Sequence, residues 1–408
     1  MNATLGARAS CPMDRDEQAT EKSPPLARCS LAEALTRRNP RWAEWLLERG
    51  VFAVSLSAIL MIFLIFVFVG REALPVALGR TNNARGQKTI AVTDIPKLAP
   101  EQLAAYLGVT AAELKTYDAS MVRELVGLKG QELADIANPD ARLNTTGWNL
   151  MLAPYRWRGY DKPEYIWQPV SEVPKFNIIP LIIGSLKATL VALLLSIPLG
   201  VGAAIYVSQL ARPAVREIVK PAIEMLSGIP SVVLGFFALI VMASVLQVVF
   251  SYESRLNAFV AGIALGLTVI PIIFTISEDA LSSVPKAYTH AALALGASPW
   301  KAAWQVVLPA AVPGVFAACV LGFGRAIGET MVVLMASGNA SIVSASIFDS
   351  CRTLTASIAA ELAEVVFGGD HYRILFLLGA LLFAVTFLSN VLGDVVVHRL
   401  KLKLEGKH

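Results

Sequence analysis

The sequence predicts an all-α polytopic membrane protein of about six transmembrane helices, and three observations predict it. The 408 residues are 55% hydrophobic and only 16% charged, which is too apolar for an ordinary soluble domain. Six apolar runs approach or exceed the roughly 20 residues that a helix needs to cross a hydrocarbon core of about 30 Å. Basic residues collect in short loops and at the end of the chain, as they do on the cytoplasmic side of a membrane.

Residues 1–36 mix both charge signs around Ser23-Pro24-Pro25 without hydrophobic periodicity, and read as a disordered cytoplasmic tail. The first 50 residues hold no short apolar run ending in a small-residue cleavage site, so a cleaved leader is not expected. Residues 37–70 combine an interfacial segment, with Arg37, Arg38, Arg41, Trp42 and Trp45, and the first span, Val51–Val69. Residues 71–177 form an external (periplasmic) insertion in which acidic and basic residues nearly balance. It is expected to be partly folded: Thr110 and Glu113 make a capping box ahead of a helix reaching toward Leu128. Its later half, from Trp148 to Trp167, is rich in Trp, Tyr and Pro. It carries no metal spacing, nucleophile elbow or phosphate-cradling glycine loop, and reads as a structural cap, with a docking surface for a soluble partner as the alternative.

Residues 178–397 hold the other five spans: Ile178–Leu210 with Lys187 inside it, the uncharged Met225–Phe250 and Leu256–Ile276, Ala310–Ser337 with Arg325 and Glu329, and Ile374–Val397. Residues 398–408 are a basic cytoplasmic tail. An even number of spans places both termini on one side, and Arg212, Arg216, Lys220, Arg399, Lys401, Lys403 and Lys407 make that side cytoplasmic. The net charge of +4 is scattered, which gives no footprint for nucleic acid. Cys11, Cys29, Cys319 and Cys351 show neither zinc spacing nor a disulfide framework and read as free thiols. No pattern calls for a cofactor or a metal.

The loop of residues 277–309 begins at Ser277-Glu278. Pro285 suits the start of a helix that Gly296 ends, because glycine enters a left-handed conformation without a Cβ penalty. Ser298 and Pro299 suit the N-cap and first position of a second helix, which Leu308-Pro309 closes. Here the sequence resembles the importer permeases of the ABC class, whose loop reads Glu-Ala-Ala, three residues, Gly, nine residues, Ile, any residue, Leu-Pro. Ala291, Ala292, Gly296, Leu308 and Pro309 occupy their places, Val306 stands for the Ile, and His290 stands where the family usually has Glu. The resemblance implies two short helices that insert into a groove of a separate ATPase and transmit its closure. With Glu278 these residues make the candidate coupling loop. No Gly-x-x-x-x-Gly-Lys-Ser/Thr sequence occurs, so ATP is hydrolysed by a partner and the chain itself is not an enzyme.

Within the fifth span Arg325 and Glu329 stand at i and i+4, on one face of a helix. Each costs roughly 2.5 to 3.5 kcal/mol at a helix centre, so the pair must be satisfied in the protein or in a watery path. A transport path is the default reading and an ion pair that only fixes packing is the alternative. One Arg partly compensated by a Glu attracts an oxyanion without holding it fast. Thr330 follows the pair, and Ser231, just after Pro230, has a hydroxyl to offer an anion. Arg352 and His371 fall in the external stretch before the last span, as solvated surface or as contacts for the anion or a binding protein. Arg352 is counted with the pathway. Lys187 either snorkels or faces the bundle, and Pro198 and Pro230 read as kinks.

From about Ile178 to Val397 the chain looks like the phosphate permeases. The segments that carry the resemblance are Ile182-Ile-Gly-Ser-Leu186, Ile197-Pro-Leu-Gly200, Gly228-Ile-Pro-Ser231, Gly324-Arg-Ala-Ile-Gly-Glu-Thr330 and Arg352-Thr-Leu-Thr355 with Ile358-Ala-Ala-Glu361. It is more similar to the PstC type than to its PstA paralogue. The resemblance implies the type I ABC importer permease fold, passage of phosphate past Arg325 and Glu329, and residence in a bacterial inner (plasma) membrane. It also implies a paralogous permease subunit forming a heterodimer, two ATP-binding cassette ATPase subunits and a soluble phosphate-binding protein. Physics alone accepts sulfate or molybdate equally. A secondary transporter driven by an ion gradient would need no such loop, and a membrane-anchored sensor would need an output domain that is not recognisable here.

Overall fold

The computed structural model describes residues 42–83, 92–135, 140 and 143–404. The expected tail at 1–36, the basic approach at 37–41, Cys11, Cys29 and Lys407 lie outside the described residues. Among the described residues six helical stretches are long and apolar enough to cross a membrane: Trp45–Ala77, Ile179–Leu210, Ser231–Phe250, Ala258–Ser282, Pro299–Gly328 and Asp370–Leu402. The first lies in helix α1 (Trp42–Ala77). The described chain divides after Phe63 into two units, the first being the leading part of this helix and the second everything from Leu64 onward.

The insertion is built from a 3₁₀ turn (Val92–Lys97) and short helices. Helix α2 (Pro100–Leu107) starts on proline and ends where Gly108 turns left-handed, φ 73°. The expected capping box begins α3 (Ala111–Leu114): the Thr110 N–H donates to Glu113 Oε2 at 2.8 Å and the Glu113 N–H to Thr110 Oγ1 at 3.4 Å. The helix does not reach Leu128. It stops at Leu114, and the Asp118 carboxylate accepts the Ala119 N–H at 2.8 Å to start a separate helix, α4 (Ala119–Asp135). Leu103, Tyr106 and Val126 bury a small core between them. The neck of the insertion is a polar lattice. Asn83 Nδ2 donates to Thr145 Oγ1 at 2.6 Å, the Thr145 N–H returns to Asn83 Oδ1 at 2.8 Å, and Asn144 Nδ2 donates to the Thr81 carbonyl at 2.9 Å. Helix α5 (Trp148–Leu152) follows, then strands β1 (Trp167–Gln168) and β2 (Lys175–Phe176), paired antiparallel with Trp167 opposite Phe176.

Helix α6 (Ile179–Ile205) runs through Pro198 without ending and continues as a π-helical turn, Tyr206–Leu210. Helix α7 (Pro213–Ser227) is a separate amphipathic segment. The third span therefore starts at Ser231 rather than at the expected Met225, because Gly228-Ile-Pro230 breaks the helix; it comprises α8 (Ser231–Phe237), a π turn (Ala238–Met242) and α9 (Ala243–Phe250). Helix α10 (Ala258–Ser282) is the fourth span. The loop beyond it carries α11 (Lys286–Ala294) and α12 (Pro299–Ala302), then a π turn (Ala303–Val307) and α13 (Leu308–Gly328). After a break come α14 (Met331–Ala336), α15 (Leu354–Glu361) and the last span within α16 (Asp370–Leu404).

Helix α10 is the axis of the bundle. Its buried face, Val260, Ala264, Leu265, Val269 and Ile273, packs on Ala192 of α6, Ala326 of α13 and Val332 of α14. Glycines permit this closeness: a Cβ on Gly262 would lie 2.5 Å from Val191 Cβ, and one on Gly322 2.8 Å from Ile273 Cγ1. A second core joins Ala73 and Val76 of α1 with Trp167, Phe176, Leu181 and Leu378.

Candidate functional site

The sequence places Arg325 and Glu329 on one helix, and the structure ends that helix between them. Helix α13 stops at Gly328, and Glu329 has extended backbone (φ −70°, ψ 136°) before α14 begins at Met331. The two side chains still face each other, with Arg325 Nη2 3.8 Å from Glu329 Oε2. That separation is beyond hydrogen-bond range. The carboxylate is covered, with 8% of the side chain exposed, whereas the guanidinium is open at 55%. The arrangement is a cation held loosely by a sheltered counter-charge, with donors free for an oxyanion. Thr330 sits at the break, its hydroxyl 3.4 Å from the Gly328 carbonyl. The break is fixed from outside the helix: Thr355 Oγ1 donates to the backbone carbonyl of Glu329 at 2.9 Å. Sequence reasoning missed Thr355, although it lies within the Arg352-Thr-Leu-Thr355 segment.

Ser231 opens α8, which lies on α14. A Cβ added to Gly235 would come within 3.1 Å of the Met331 carbonyl oxygen and 3.2 Å of Val332 Cα. Ser231 thus belongs to the helix that flanks the break. Arg352 goes elsewhere. Its Nη2 lies 2.5 Å from Glu361 Oε1, and the same carboxylate takes His371 Nε2 at 2.8 Å and Trp167 Nε1 at 3.0 Å. Arg352 and His371 are each only 18% exposed, so neither is the solvated surface the sequence reading allowed. Glu361 is the hub that sequence reasoning did not single out. Lys187 reaches the stretch before the last span, its Nζ donating to the Ser346 carbonyl at 2.8 Å.

In the candidate coupling loop, α11 runs from Lys286 to Ala294 between Pro285 and Leu295, and Gly296 takes φ 83° as expected. The Ala297 N–H closes the turn on the Ala292 carbonyl at 3.1 Å. Ser298 caps α12, accepting the Lys301 N–H at 3.3 Å. Leu308-Pro309 does not close a second short helix; through the π turn α12 runs on into α13, because Pro309 falls at the first turn of α13, where its missing N–H costs nothing. His290 and Ala291 are exposed and Ala292 is buried. Trp300 and Trp304 stack on the outer side, ring centroids 5.9 Å apart. Glu278 is not in the loop. It lies on the last turns of α10, 1% exposed, with Arg216 Nη2 in direct contact with Oε1, Lys220 Nζ 2.7 Å from Oε2, and the Ser282 hydroxyl donating to Oε1 at 2.8 Å. The hydrogen bond to Glu278 holds the Lys220 ammonium above its ordinary pKa, against the effect of its partial burial.

Residues 196–402 match the family described as the binding-protein-dependent transport system inner membrane component. That stretch is half of the chain and contains both the loop and the charged break. This chain belongs to that family. Permeases of this family are transport components rather than enzymes; they cross the inner membrane several times and work with ATPase subunits and periplasmic binding proteins. Relatives point to one branch of it. A probable ABC transporter permease protein, YqgH, of Bacillus subtilis is 35% identical over 226 residues, 55% of this chain and 73% of that one. The phosphate transport system permease protein PstC of Mesorhizobium japonicum is 31% identical over 305 residues, 70% of this chain and 89% of that one. PstC of Pasteurella multocida is 32% identical over 260 residues, 59% of this chain and 80% of that one. Among solved structures, the inward-facing MetNI methionine ABC transporter aligns at a TM-score of 0.42 and 18% identity, over 55% of this chain and 94% of that one. The permease is thus a mostly helical inner-membrane component with six helices long and apolar enough to span among its described residues.

Proposed function

We propose that this permease is the membrane-spanning subunit of an ATP-driven importer of inorganic phosphate. The observation that carries the cargo is the match to a phosphate transport permease over 89% of that protein's length. The geometry at the break supports it. Phosphate at neutral pH is a hydrated anion with oxygens to bind and hydroxyls to donate. The open Arg325 guanidinium attracts it, and the covered Glu329 carboxylate weakens that attraction enough for release. Thr330 and Ser231 add hydroxyls along the same path. The role assigned to Arg352 shifts from the path itself to holding the outer loop, since its guanidinium is engaged by Glu361. Residues 178–397 act as the transmembrane domain and residues 71–177 as an external cap.

Coupling runs through the exposed face of α11, with His290, Ala291 and the Gly296 turn seated in the groove of an ATPase and Leu308-Pro309 leading the motion into the fifth span. Ala292 is the buried residue of α11. A paralogous permease completes the path as a heterodimer, two ATPases sit at the cytoplasmic ends, and a phosphate-binding protein docks outside. Both termini are cytoplasmic by the distribution of Lys and Arg.

The test is ATP-dependent uptake of labelled phosphate by vesicles holding the whole complex. Wild type takes up phosphate and unlabelled sulfate does not compete. Arg325→Ala and Gly296→Asp each lose uptake while the subunits still assemble. Uptake without ATP sinks the importer reading, and ATP-driven uptake of sulfate alone sinks the cargo.

A further inference from the structure

We propose that Glu278 is a positioning residue that clamps helix α7 to the end of α10, so that movement of the coupling loop reaches the charged break through α7. This rests on the importer reading above and deepens it, because it gives Glu278 a role inside the permease instead of a contact with the ATPase.

Three observations carry it. The first is the clamp itself. Glu278 is 1% exposed and its two carboxylate oxygens are divided between Arg216 and Lys220, one turn apart on α7, with Ser282 donating to the oxygen that Arg216 holds. A buried carboxylate so engaged fixes both partners in direction as well as distance.

The second is how little else holds α7. No residue of that helix is fully buried. Its inward stripe pairs the two cations with Val219 and Ile223, which pack beside Phe274 and Leu281 of α10 and Val307 at the foot of the fifth span. Val215 is also half-buried, Lys220 Nζ lies a further 3.9 Å from the exposed Asp279 of α10, Arg216 Nη2 donates to Ser282 Oγ at 3.3 Å, and the remaining side chains of α7 are exposed.

The third is where α7 leads. It ends at the Gly228-Ile-Pro230 break, and α8 begins at once with Ser231. Helix α8 lies against α14 so closely that a Cβ on Gly235 would meet the Met331 carbonyl oxygen at 3.1 Å. Met331 comes two residues after Glu329. Glu278, for its part, precedes the start of α11 at Lys286 by eight positions. A displacement of α11 turns the end of α10, the clamp carries α7 with it, and the rigid segment beyond Pro230 moves the flank of the break. Without the clamp the loop still engages the ATPase, and the motion is lost in a helix left with a partly buried aliphatic stripe, a hydrogen bond from Arg216 to Ser282 and an exposed, 3.9 Å pair of Lys220 with Asp279.

The experiment measures phosphate transported per ATP hydrolysed by the complete complex in proteoliposomes. Glu278→Gln keeps the volume and removes the charge. It is expected to leave ATP hydrolysis within about twofold of wild type and to lower the transport ratio at least tenfold. Lys220→Met, at a partly exposed site, lowers the ratio about threefold. Lys220→Met placed on Glu278→Gln lowers it no further, since one clamp is already gone. A residue that only stabilises the fold would reduce assembled complex, hydrolysis and uptake together and leave the ratio unchanged; that result overturns the clamp. Should Glu278→Gln fail to assemble, Lys220→Met decides, and an unchanged ratio there overturns it equally. Absence of ATP-driven uptake in the wild type overturns the importer reading itself.

Discussion

The hydroxyl of Thr355 donates to the backbone carbonyl of Glu329 at 2.9 Å, across 26 residues of sequence. Both groups are buried. The bond ties the first turn of α15 to the point where the fifth span breaks. Thr355→Val removes the donor at nearly constant volume and leaves a buried carbonyl unsatisfied, a loss of about 1 kcal/mol or somewhat more. If the break positions Arg325 and Glu329, the maximal rate of phosphate uptake falls about fivefold, the rate equivalent of that energy. Thr355→Ser restores it. Initial uptake rates at saturating phosphate check both.

Gly184 of α6 allows the backbone of the outer loop to lie directly on the helix. A Cβ there would stand 2.2 Å from the Arg352 carbonyl oxygen, and that neighbour is backbone and cannot rotate aside. The Leu354 N–H donates to Ser185 Oγ at 3.0 Å on the next residue. Gly184→Ala must therefore push the loop off the helix, and a cost of about 1–3 kcal/mol is expected. Gly202 of the same helix has nothing within 4 Å, so Gly202→Ala is neutral or slightly stabilising. Thermal unfolding of the two purified variants in one detergent separates the effects.

Much of this was legible in the sequence. The six spans were written in hydropathy, since each run must satisfy its backbone inside a helix. The turn at Gly296 was legible because a φ of 83° calls for a glycine there. The corrections share one cause, which is that tertiary contacts are not periodic. Glu329 looked helical by its spacing from Arg325, yet the span ends one residue earlier, where Thr355 takes the Glu329 carbonyl. Leu308-Pro309 looked like a stop, but proline at the first turn of a helix is as much a start. Glu361 stood in the Ile358-Ala-Ala-Glu361 segment, but nothing local marked it as the partner of three other side chains. Its partners Trp167, Arg352 and His371 come from three separate stretches, and only the fold brings them together.

That carboxylate supports a prediction of its own. Glu361 is 12% exposed and serves Arg352, His371 and Trp167 at once. Removing one partner of a buried ion pair leaves the other charge uncompensated, at a cost of about 3–5 kcal/mol. Glu361→Gln is expected to lower the unfolding midpoint strongly. Arg352→Met combined with it should cost clearly less than the sum of the single changes, because the orphaned cation has gone. Strict additivity in this double-mutant cycle would show that the contact is energetically idle.

Cys351 offers a test with a sign in pH. It is fully buried, its N–H donating to the Ser337 carbonyl at 3.0 Å, and burial pushes the thiol up to about 11, with Lys187 opposing. An ordinary thiol titrates near 8.5. The folded value is the higher one, so the unfolded chain ionises first as pH rises. The contribution of this residue to stability is therefore whole below about pH 8.5 and is lost progressively up to pH 11, at about 1.4 kcal/mol per unit and so about 3 kcal/mol in all. Replacing Cys351 by Ala removes the titration. The stability advantage of wild type over Cys351→Ala should be constant from pH 6 to 8 and shrink steadily above it, measured by denaturant unfolding at each pH. In a background with Cys11, Cys29 and Cys319 changed to Ser, the folded protein should also resist a maleimide reagent at pH 7.5 and react at once when unfolded. Rapid labelling of the folded protein at that pH would mean that the thiol is neither buried nor raised.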